Sequence, residues 1–384
     1  MIDIKNKKQC CGCGSCKLIC PVAAIEMNKD EEGFQYPIVN TKICVNCGKC
    51  ERVCPELNPR ELSERSKVFA AYRNDLNLRL KSQSGGVFSV IAEQIISEGG
   101  IVFGAGFDQN WIVKHKGINR LENIEFLRGS KYVQSDLEET YKEAEQYLKQ
   151  GSKVLFSGTP CQIQGLKSYL QQDYEGLFTI DLICHGVSSP EVWNQYLKEY
   201  LADKQLHKYC QKDKRRNNAI TYTLKDGTEI VEASEDNIYM KGFYKDLFQR
   251  PSCHKCGFKG IERCSDITLG DFWGIENYLP EFGDKYGISA VIVHDNKGEK
   301  LFQKIEKNLV FRGCETKWLE TGNPCLLTSI SENEKRKIFF EKCKMNGVID
   351  TIQLLTKPTF KDKLKKKNQY MFELAHAVKR RILK

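Results

Sequence analysis

No run of about 18 apolar residues occurs in this 384-residue chain, so no membrane-spanning helix is expected. The first ten residues, MIDIKNKKQC, hold no apolar stretch of the kind a secretory leader uses, and secretion is not expected. No G-x-G-x-x-G follows a predicted strand, which leaves out the dinucleotide fingerprint. GTPCQIQGLKS, from Gly158, imitates a kinase-type phosphate loop. Six residues rather than four separate its glycines and Leu precedes its Lys, so that loop is excluded too. No recognisable nucleic-acid module is present, and no nucleic-acid partner is expected.

Charge is unevenly spread. The formal net charge is +9, but residues 361–384 alone hold nine Lys/Arg against two acids, and the rest is close to neutral. In that stretch Leu364, Met371, Leu374, Val378 and Ile382 fall on one helical face among basic residues. Such a face suits an acidic membrane surface or an acidic partner; a solvated terminal helix packed on its own domain is the alternative.

What the chain has in quantity is cysteine, 18 residues. In a chain with no expected leader that number argues for metal rather than disulfides, and for a reducing cytoplasm. Nine of them fall in two short runs. Cys10, Cys13, Cys16, Cys20 and Pro21 repeat as Cys44, Cys47, Cys50, Cys54 and Pro55, every pair offset by 34. Each copy reads C-x2-C-x2-C-x3-C-P, the bacterial ferredoxin run, in which the fourth cysteine serves the other cluster. Three closely spaced thiolates can wrap one iron–sulfur cube, with Gly12, Gly14 and Gly48 letting backbone amides approach the sulfurs. Cys10, Cys13, Cys16 and Cys54 are thus assigned to one [4Fe-4S] cluster, and Cys44, Cys47, Cys50 and Cys20 to a second. Cys11 breaks the repeat and is read as a bystander. Between the runs, AAIEMNKDEEGFQYPIV reads as a hairpin. A pair of zinc sites is the rival, but zinc favours separated pairs of cysteines.

Residues 56–67 are polar and linker-like. Strands then alternate with helices: KVFAAYR, GGVFSVIAEQIISEGG, IVFGAGF, WIVKHKGI, LEETYKEAEQYLKQG, KVLFSG, CQIQGLKSYL, LFTIDLIC and SPEVWNQYLKEYL, the last capped by Ser189. The expected fold class is α/β, a mixed and largely parallel sheet with flanking helices, preceded by a small α+β ferredoxin-like domain. AITYTLKDGTEIVEA reads as a hairpin with an Asp-Gly turn. Past residue 330 the chain reads as helical and increasingly basic.

Two turns suit a phosphate-bearing cofactor. Ser84, Gly85 and Gly86 stand just ahead of an apolar helix, where bare amides and the positive dipole end favour an anion. Ser157, Gly158 and Thr159 stand at the carboxyl end of a strand, where ligands bind in open α/β sheets. An N-capped helix is the alternative for each. Lys131, in RGSKYVQS, is a candidate neighbour of the same cofactor, or simply a solvated lysine.

A further four-thiolate site is expected among Cys161, Cys184, Cys253, Cys256 and Cys264. The first two follow successive strands and should emerge at one sheet edge. The preferred set is Cys161, Cys184, Cys253 and Cys256, with Cys264 spare. Structural zinc is the rival, with His254 and His185 as tempting extra ligands.

The stretches SGGVFS, GSKYVQS, GTPCQIQGL, DLICHGVSSP, CHKCGFKG and SDITLGDFWGI, in that order, resemble the beta subunit of coenzyme F-420 hydrogenases and dehydrogenases. The resemblance covers roughly residues 65–275, and the front end is similar to members fused to a ferredoxin. It implies an iron–sulfur flavoprotein holding FAD beside a third [4Fe-4S] cluster and exchanging a hydride with a deazaflavin coenzyme. By position it implies FAD contacts at Ser84, Gly85, Gly86, Lys131, Gly158 and Thr159, and a cluster on Cys161, Cys184, Cys253 and Cys256. The family also includes ferredoxin-fed reductases of other small molecules, so the substrate stays open.

The expected domains are 1–58, a 2[4Fe-4S] ferredoxin domain; 59–330, a catalytic domain binding FAD and [4Fe-4S]; and 331–384, a basic helical tail. The expected partners are ferredoxin or another redox protein and a small-molecule hydride donor or acceptor. Reduction of another metabolite, or a purely electron-transferring subunit, are the alternative functions. No acid–base residue stands out; His185 and Asp271 lie near the motifs.

Overall fold

The computed structural model describes residues 1–63 and 65–357. The apolar face running from Leu364 to Ile382 lies outside the described residues.

The two cysteine runs become two copies of one local structure. Each puts a short helix, α1 (Ser15–Leu18) or α2 (Lys49–Arg52), directly after a glycine in the left-handed region. Gly14 has φ +74° and Gly48 φ +70°, a turn that brings the flanking cysteines round to one side. Between the helices β1 (Ile25–Lys29) and β2 (Gln35–Val39) form the expected antiparallel hairpin, with Ile25 opposite Val39.

The larger unit begins with β3 (Lys67–Arg73), α3 (Leu76–Leu80), α4 (Val87–Ser97), β4 (Ile101–Phe107), β5 (Val113–Ile118) and α5 (Thr140–Lys149). It continues through β6 (Val154–Ser157), α6 (Pro160–Leu170), β7 (Leu177–Leu182) and α7 (Pro190–Leu201). Ser189 caps α7 as expected, its Oγ accepting from the Val192 amide at 3.2 Å. A small antiparallel sheet follows, β8 (Leu206–Asp213), β9 (Ala219–Leu224) and β10 (Glu229–Glu232), then α8 (Ile238–Tyr244). The chain re-enters the main sheet with β11 (Ile267–Asp271), β12 (Ser289–Val293), α9 (Asn296–Ile305) and β13 (Leu309–Cys314). The described residues close with α10 (Thr316–Gly322), α11 (Arg336–Asn346) and α12 (Val348–Thr356).

The main sheet has eight strands in the order β13-β3-β12-β11-β7-β6-β4-β5. Its centre, β4, β6, β7 and β11, is parallel. The flanking strands pair antiparallel, β5 because it returns from β4 as a hairpin, and β3, β12 and β13 as a block. The parallel centre puts the carboxyl ends of β6, β7 and β11 along one edge, and that edge carries the candidate site.

Apolar side chains of α4 and α9 cover one face of the sheet, with Ile91, Ile95, Leu301 and Ile305 fully buried. Helices α5 and α6 cover the other through Tyr141, Ala144, Ile163 and Leu166. A separate aromatic core gathers Trp193, Tyr196, Tyr222, Tyr239 and Phe248. Phe339 of α11 and Val348 and Ile352 of α12 are buried in it. The helices expected beyond residue 330 are present, but 336–356 form part of a packed core rather than a tail. Among the described residues no helix is long and apolar enough to cross a membrane.

The cysteine-rich unit is clamped onto the larger one. Ser15 Oγ donates to the Gly165 carbonyl at 2.8 Å, and the Arg336 guanidinium makes a two-pronged ion pair with Glu32. Gly165 sits mid-helix in α6, where alanine would ordinarily be preferred by about 1 kcal/mol. Here a Cβ would lie 2.7 Å from Cys13 Cβ and 2.9 Å from Ser15 Oγ. Overpacking of that kind costs about 1–3 kcal/mol and outweighs the helix preference. Gly165→Ala should therefore lower the thermal midpoint and loosen the cysteine-rich unit, seen as faster proteolysis within residues 1–58. An unchanged or raised midpoint would show that the contact is not tight.

Candidate functional site

Three cysteine groups and one cleft lie in series. In the first group Cys10, Cys13 and Cys54 are close enough to act electrostatically on Cys16, which is buried like Cys10 and Cys13. In the second, Cys20, Cys44, Cys47 and Cys50 line one small cavity together with Val22 and Val45. Backbone amides reach their sulfurs: Ile2 N donates to Cys50 Sγ at 3.3 Å and Ala24 N to Cys20 Sγ at 3.2 Å. The first group is internal, whereas Cys47 of the second is exposed. Each spacing-based set therefore falls together in space.

The third cavity is lined by Cys161 at the start of α6, Cys184 just past β7, and Cys253 and Cys256 from the turn Pro251–Lys255 and its end. Two separate strand ends and a distant turn thus meet at one place. Val187 N donates to Cys253 Sγ at 3.4 Å. Cys264 lies away from this cavity, against the core of α5 and α6. His254 is not in its lining either, and His185 is engaged elsewhere, through Nδ1 to Cys325 Sγ at 3.3 Å and Nε2 to Asp246 at 2.7 Å. Burial opposes a charge on His185, but the Asp246 carboxylate and Cys325 hold its pKa up at about 9.

The chemistry of the third cavity suits an anionic cluster. Arg250, Lys259 and Arg263 line it, against one carboxyl, Glu56, which burial pushes up to about 7. Arg263 is buried and none of its three guanidinium nitrogens has a hydrogen-bond partner. Among the described residues, no three Cys, His, Asp or Glu side chains close on a single metal ion. The four thiols and three cations line one cavity, a donor set of the kind that a four-iron cube with net negative charge takes.

Cys11, read from the sequence as a bystander, is 6% exposed and wedged between the first group and the third. It packs with Cys13 and Phe258 in one small cluster, with Cys161 and Cys256 against it. Local sequence carries no sign of this, because the contact spans 150 residues.

The cleft lies on the far side of the third cavity and shares a wall with it: Thr159, Cys184, His185, Gly186 and Val187 line both. Its volume is about 310 Å³. Ser84, Gly86, Lys131, Gly158 and Thr159 all line it, together with Asp271, which is paired to Lys212 at 2.9 Å. Gly85 is the exception among the expected residues. Its amide is taken by Ser289 Oγ at 2.9 Å, and a Cβ there would lie 2.3 Å from the Ala71 carbonyl. It allows β3 and β12 to approach the turn rather than facing the cleft. Thr159 is both cap and lining: its amide donates to Gln162 Oε1 at 2.9 Å in a capping box.

Two cleft residues were not visible in the sequence. Gln83 Oε1 and His115 Nδ1 are buried without partners, so the lining leaves both an acceptor and a ring nitrogen unsatisfied. Burial lowers His115 to about 4. Lys131 donates to the carbonyls of Phe126, Leu127 and Arg128 at 2.8–3.2 Å, and burial pulls its ammonium down to about 7. The unsatisfied atoms, a cation and two helix starts at Gly86 and Thr159 suit a ligand with a polar ring and an anionic tail.

Residues 151–317 match the family described as coenzyme F420 hydrogenase/dehydrogenase, C terminus of the beta subunit. Residues 9–57 match the 4Fe-4S dicluster domain. Together the two matches put a 4Fe-4S dicluster domain ahead of a region similar to the C terminus of that beta subunit. It is 24% identical over 304 residues to a subunit, named F, of the F(420)H(2) dehydrogenase of Methanosarcina mazei, covering 72% of this chain and 81% of that one. It is 24% identical over 328 residues to the coenzyme F420-dependent sulfite reductase of Methanocaldococcus jannaschii, covering 79% of this chain. The chain spans 47% of that relative's length. A chain of the F420-reducing [NiFe] hydrogenase complex from Methanosarcina barkeri aligns with a TM-score of 0.46 and 20% identity, over 77% of this chain and 91% of that one.

The depressed pKa of Lys131 has a measurable sign. Its folded value lies below the unfolded one, so between about pH 7 and 10 the unfolded chain binds the extra proton and stability rises with pH. Lys131→Met removes that titration. In flavin-free protein the rise of unfolding free energy above pH 7 should be shallower in the variant, by up to ~1 kcal/mol per pH unit. Equal slopes would show that Lys131 stays charged.

Proposed function

We propose that this protein is an iron–sulfur flavoprotein oxidoreductase that passes electrons between ferredoxin-type clusters and coenzyme F420, or a related hydride donor or acceptor, at FAD. The observation that carries this reading is the wall shared by the cleft and the third cysteine cavity, with Cys11 joining that cavity to the first ferredoxin group.

In this reading Cys10, Cys13, Cys16 and Cys54 hold one [4Fe-4S] cluster, and Cys20, Cys44, Cys47 and Cys50 a second. Cys161, Cys184, Cys253 and Cys256 hold a third. Ser84, Gly86, Gly158 and Thr159 would hold FAD through amides and hydroxyls, with Lys131 as countercharge. When bound, FAD exchanges a hydride with its substrate and single electrons with the clusters. Arg263 and Lys259 balance the third cluster's charge, and the Val187 amide donates to one of its sulfurs. The relatives' names support F420 as the substrate class, and the naming of one as part of a dehydrogenase supports a redox-protein partner.

Single electrons would cross the surface at the second cluster. Its ligand Cys47 is exposed, Val45 (60% exposed) and Ile43 stand beside it, and Lys42, Lys49 and Arg52 are exposed around them. A one-electron carrier with an acidic face fits such a surface. Lys49→Glu should slow reduction by an acidic ferredoxin several-fold at low salt, with the difference closing at high salt. A salt-independent rate equal to wild type would place the entry elsewhere.

A second reading, an electron-transfer subunit whose partner holds the chemistry, is favoured by the relative named as a subunit. One set of measurements separates the two. Anaerobically purified protein should carry about twelve irons and one flavin per chain, and Cys184→Ser should lose about four irons while Cys264→Ser loses none. Reduced F420 should bleach the flavin. Clusters without flavin would favour the second reading, and colourless or zinc-only protein would overturn both.

A further inference from the structure

Two cysteine runs of identical spacing should bind two clusters of similar potential if local sequence alone set it. Among the differences in their surroundings is one buried cation. Arg250 is 1% exposed and sits at the junction of the first ferredoxin group and the third cavity. Its backbone carbonyl accepts from the Cys253 amide at 2.9 Å, at the start of the turn that presents Cys253 and Cys256. Its side chain points the other way. Nε donates to the Cys10 carbonyl at 2.8 Å, Nη2 to the Gln35 carbonyl at 2.9 Å and Nη1 to Gln134 Oε1 at 2.9 Å. Nη2 also lies 3.7 Å from Cys10 Sγ. The guanidinium stacks 4.4 Å from the Tyr36 ring centre. A Cβ on Gly12 would lie 2.7 Å from Nη1, so the cysteine loop is closed tightly over it.

Every hydrogen-bond acceptor here is neutral except a cysteine sulfur, and among the described residues no carboxylate forms an ion pair with Arg250. A buried cation without an anion is strongly unfavourable. The negative charge nearest its guanidinium is that of the cluster ligated by Cys10, with Cys253 of the third cavity beyond it. Among the described residues the second group has no counterpart: its neighbouring cations, Lys42, Lys49, Arg52 and the amino terminus, are exposed to water.

Resting on the cluster assignment above, we propose that Arg250 is a potential-setting residue: it stabilises the reduced, more negative state of the first ferredoxin cluster and leaves the second unaided. An electron arriving at the exposed second cluster would then move inward to the first with a favourable drop, next to Cys11 and the third site. The step is a one-electron transfer from an external one-electron carrier, with no bond made or broken.

The test is an anaerobic redox titration of the full-length holoprotein, followed by electron paramagnetic resonance, with iron counted per chain. Arg250→Gln removes the cation. Gln134→Glu keeps it but puts a carboxylate against Nη1. Gln134→Met removes the neutral partner and keeps the cation. One ferredoxin-domain midpoint should fall in the first two variants by at least 59 mV, a tenfold change in the one-electron equilibrium. The other should stay put, and Gln134→Met should match wild type. Unchanged midpoints in Arg250→Gln and Gln134→Glu at wild-type iron content would overturn the assignment. So would loss of iron from both, since Arg250 would then be a structural clamp. Wild-type protein without ferredoxin-type iron would instead overturn the cluster assignment itself.

Discussion

Cys13 and Gly165 touch because one methyl group is missing. With no Cβ on Gly165, the first cysteine loop lies directly on the middle of α6, the helix that presents Cys161 at its start. Everything that makes the molecule a series of adjoining sites depends on that approach. Ser15 ties the loop to the Gly165 carbonyl, Arg250 reaches into it from the far side, and Cys11 is left pressed between Cys13 and Cys161. Were the cysteine-rich unit a few ångström farther out, Arg250 would be a buried charge facing nothing.

The larger unit supplies the complementary constraint. A parallel centre of four strands aligns the ends of β6, β7 and β11 on one edge. The residues just past β6 and β7 therefore stand side by side, and Thr159, Cys184 and His185 each face both the cleft and the cysteine cavity. The antiparallel flanks play a different part. β12 and β3 close on Gly85, which lets the turn before α4 offer Ser84 and Gly86 to the cleft. Backbone geometry thus divides the work among three successive residues.

Legibility followed distance along the chain. The two cysteine groups were readable because three of the four thiols in each come from one tight loop, where spacing in sequence is spacing in space. Strand–helix alternation, the Ser189 cap and the Asp-Gly hairpin were readable for the same reason. Gly85 was half-readable: a glycine before a helix suggested an anion turn, whereas its own amide is taken by Ser289. The helices at 336–356 were visible as helices but not as core, since their partners, Trp193 and Tyr239 among them, lie about 100 residues or more upstream.

The sequence by itself determined which cysteines form the two runs, the α/β character of the larger unit, and the candidate turns around the cleft. These are local periodicities and spacings, fixed within one turn or one strand. Only the tertiary structure decided that Cys11 is a joint rather than a spare, that Arg263 lines a cysteine cavity with no hydrogen-bond partner, and that Arg250 lies on Cys10, 240 residues away. Burial and charge pairing depend on which distant surfaces meet, and no spacing rule records that meeting. Two identical motifs therefore become unequal only once the chain is folded.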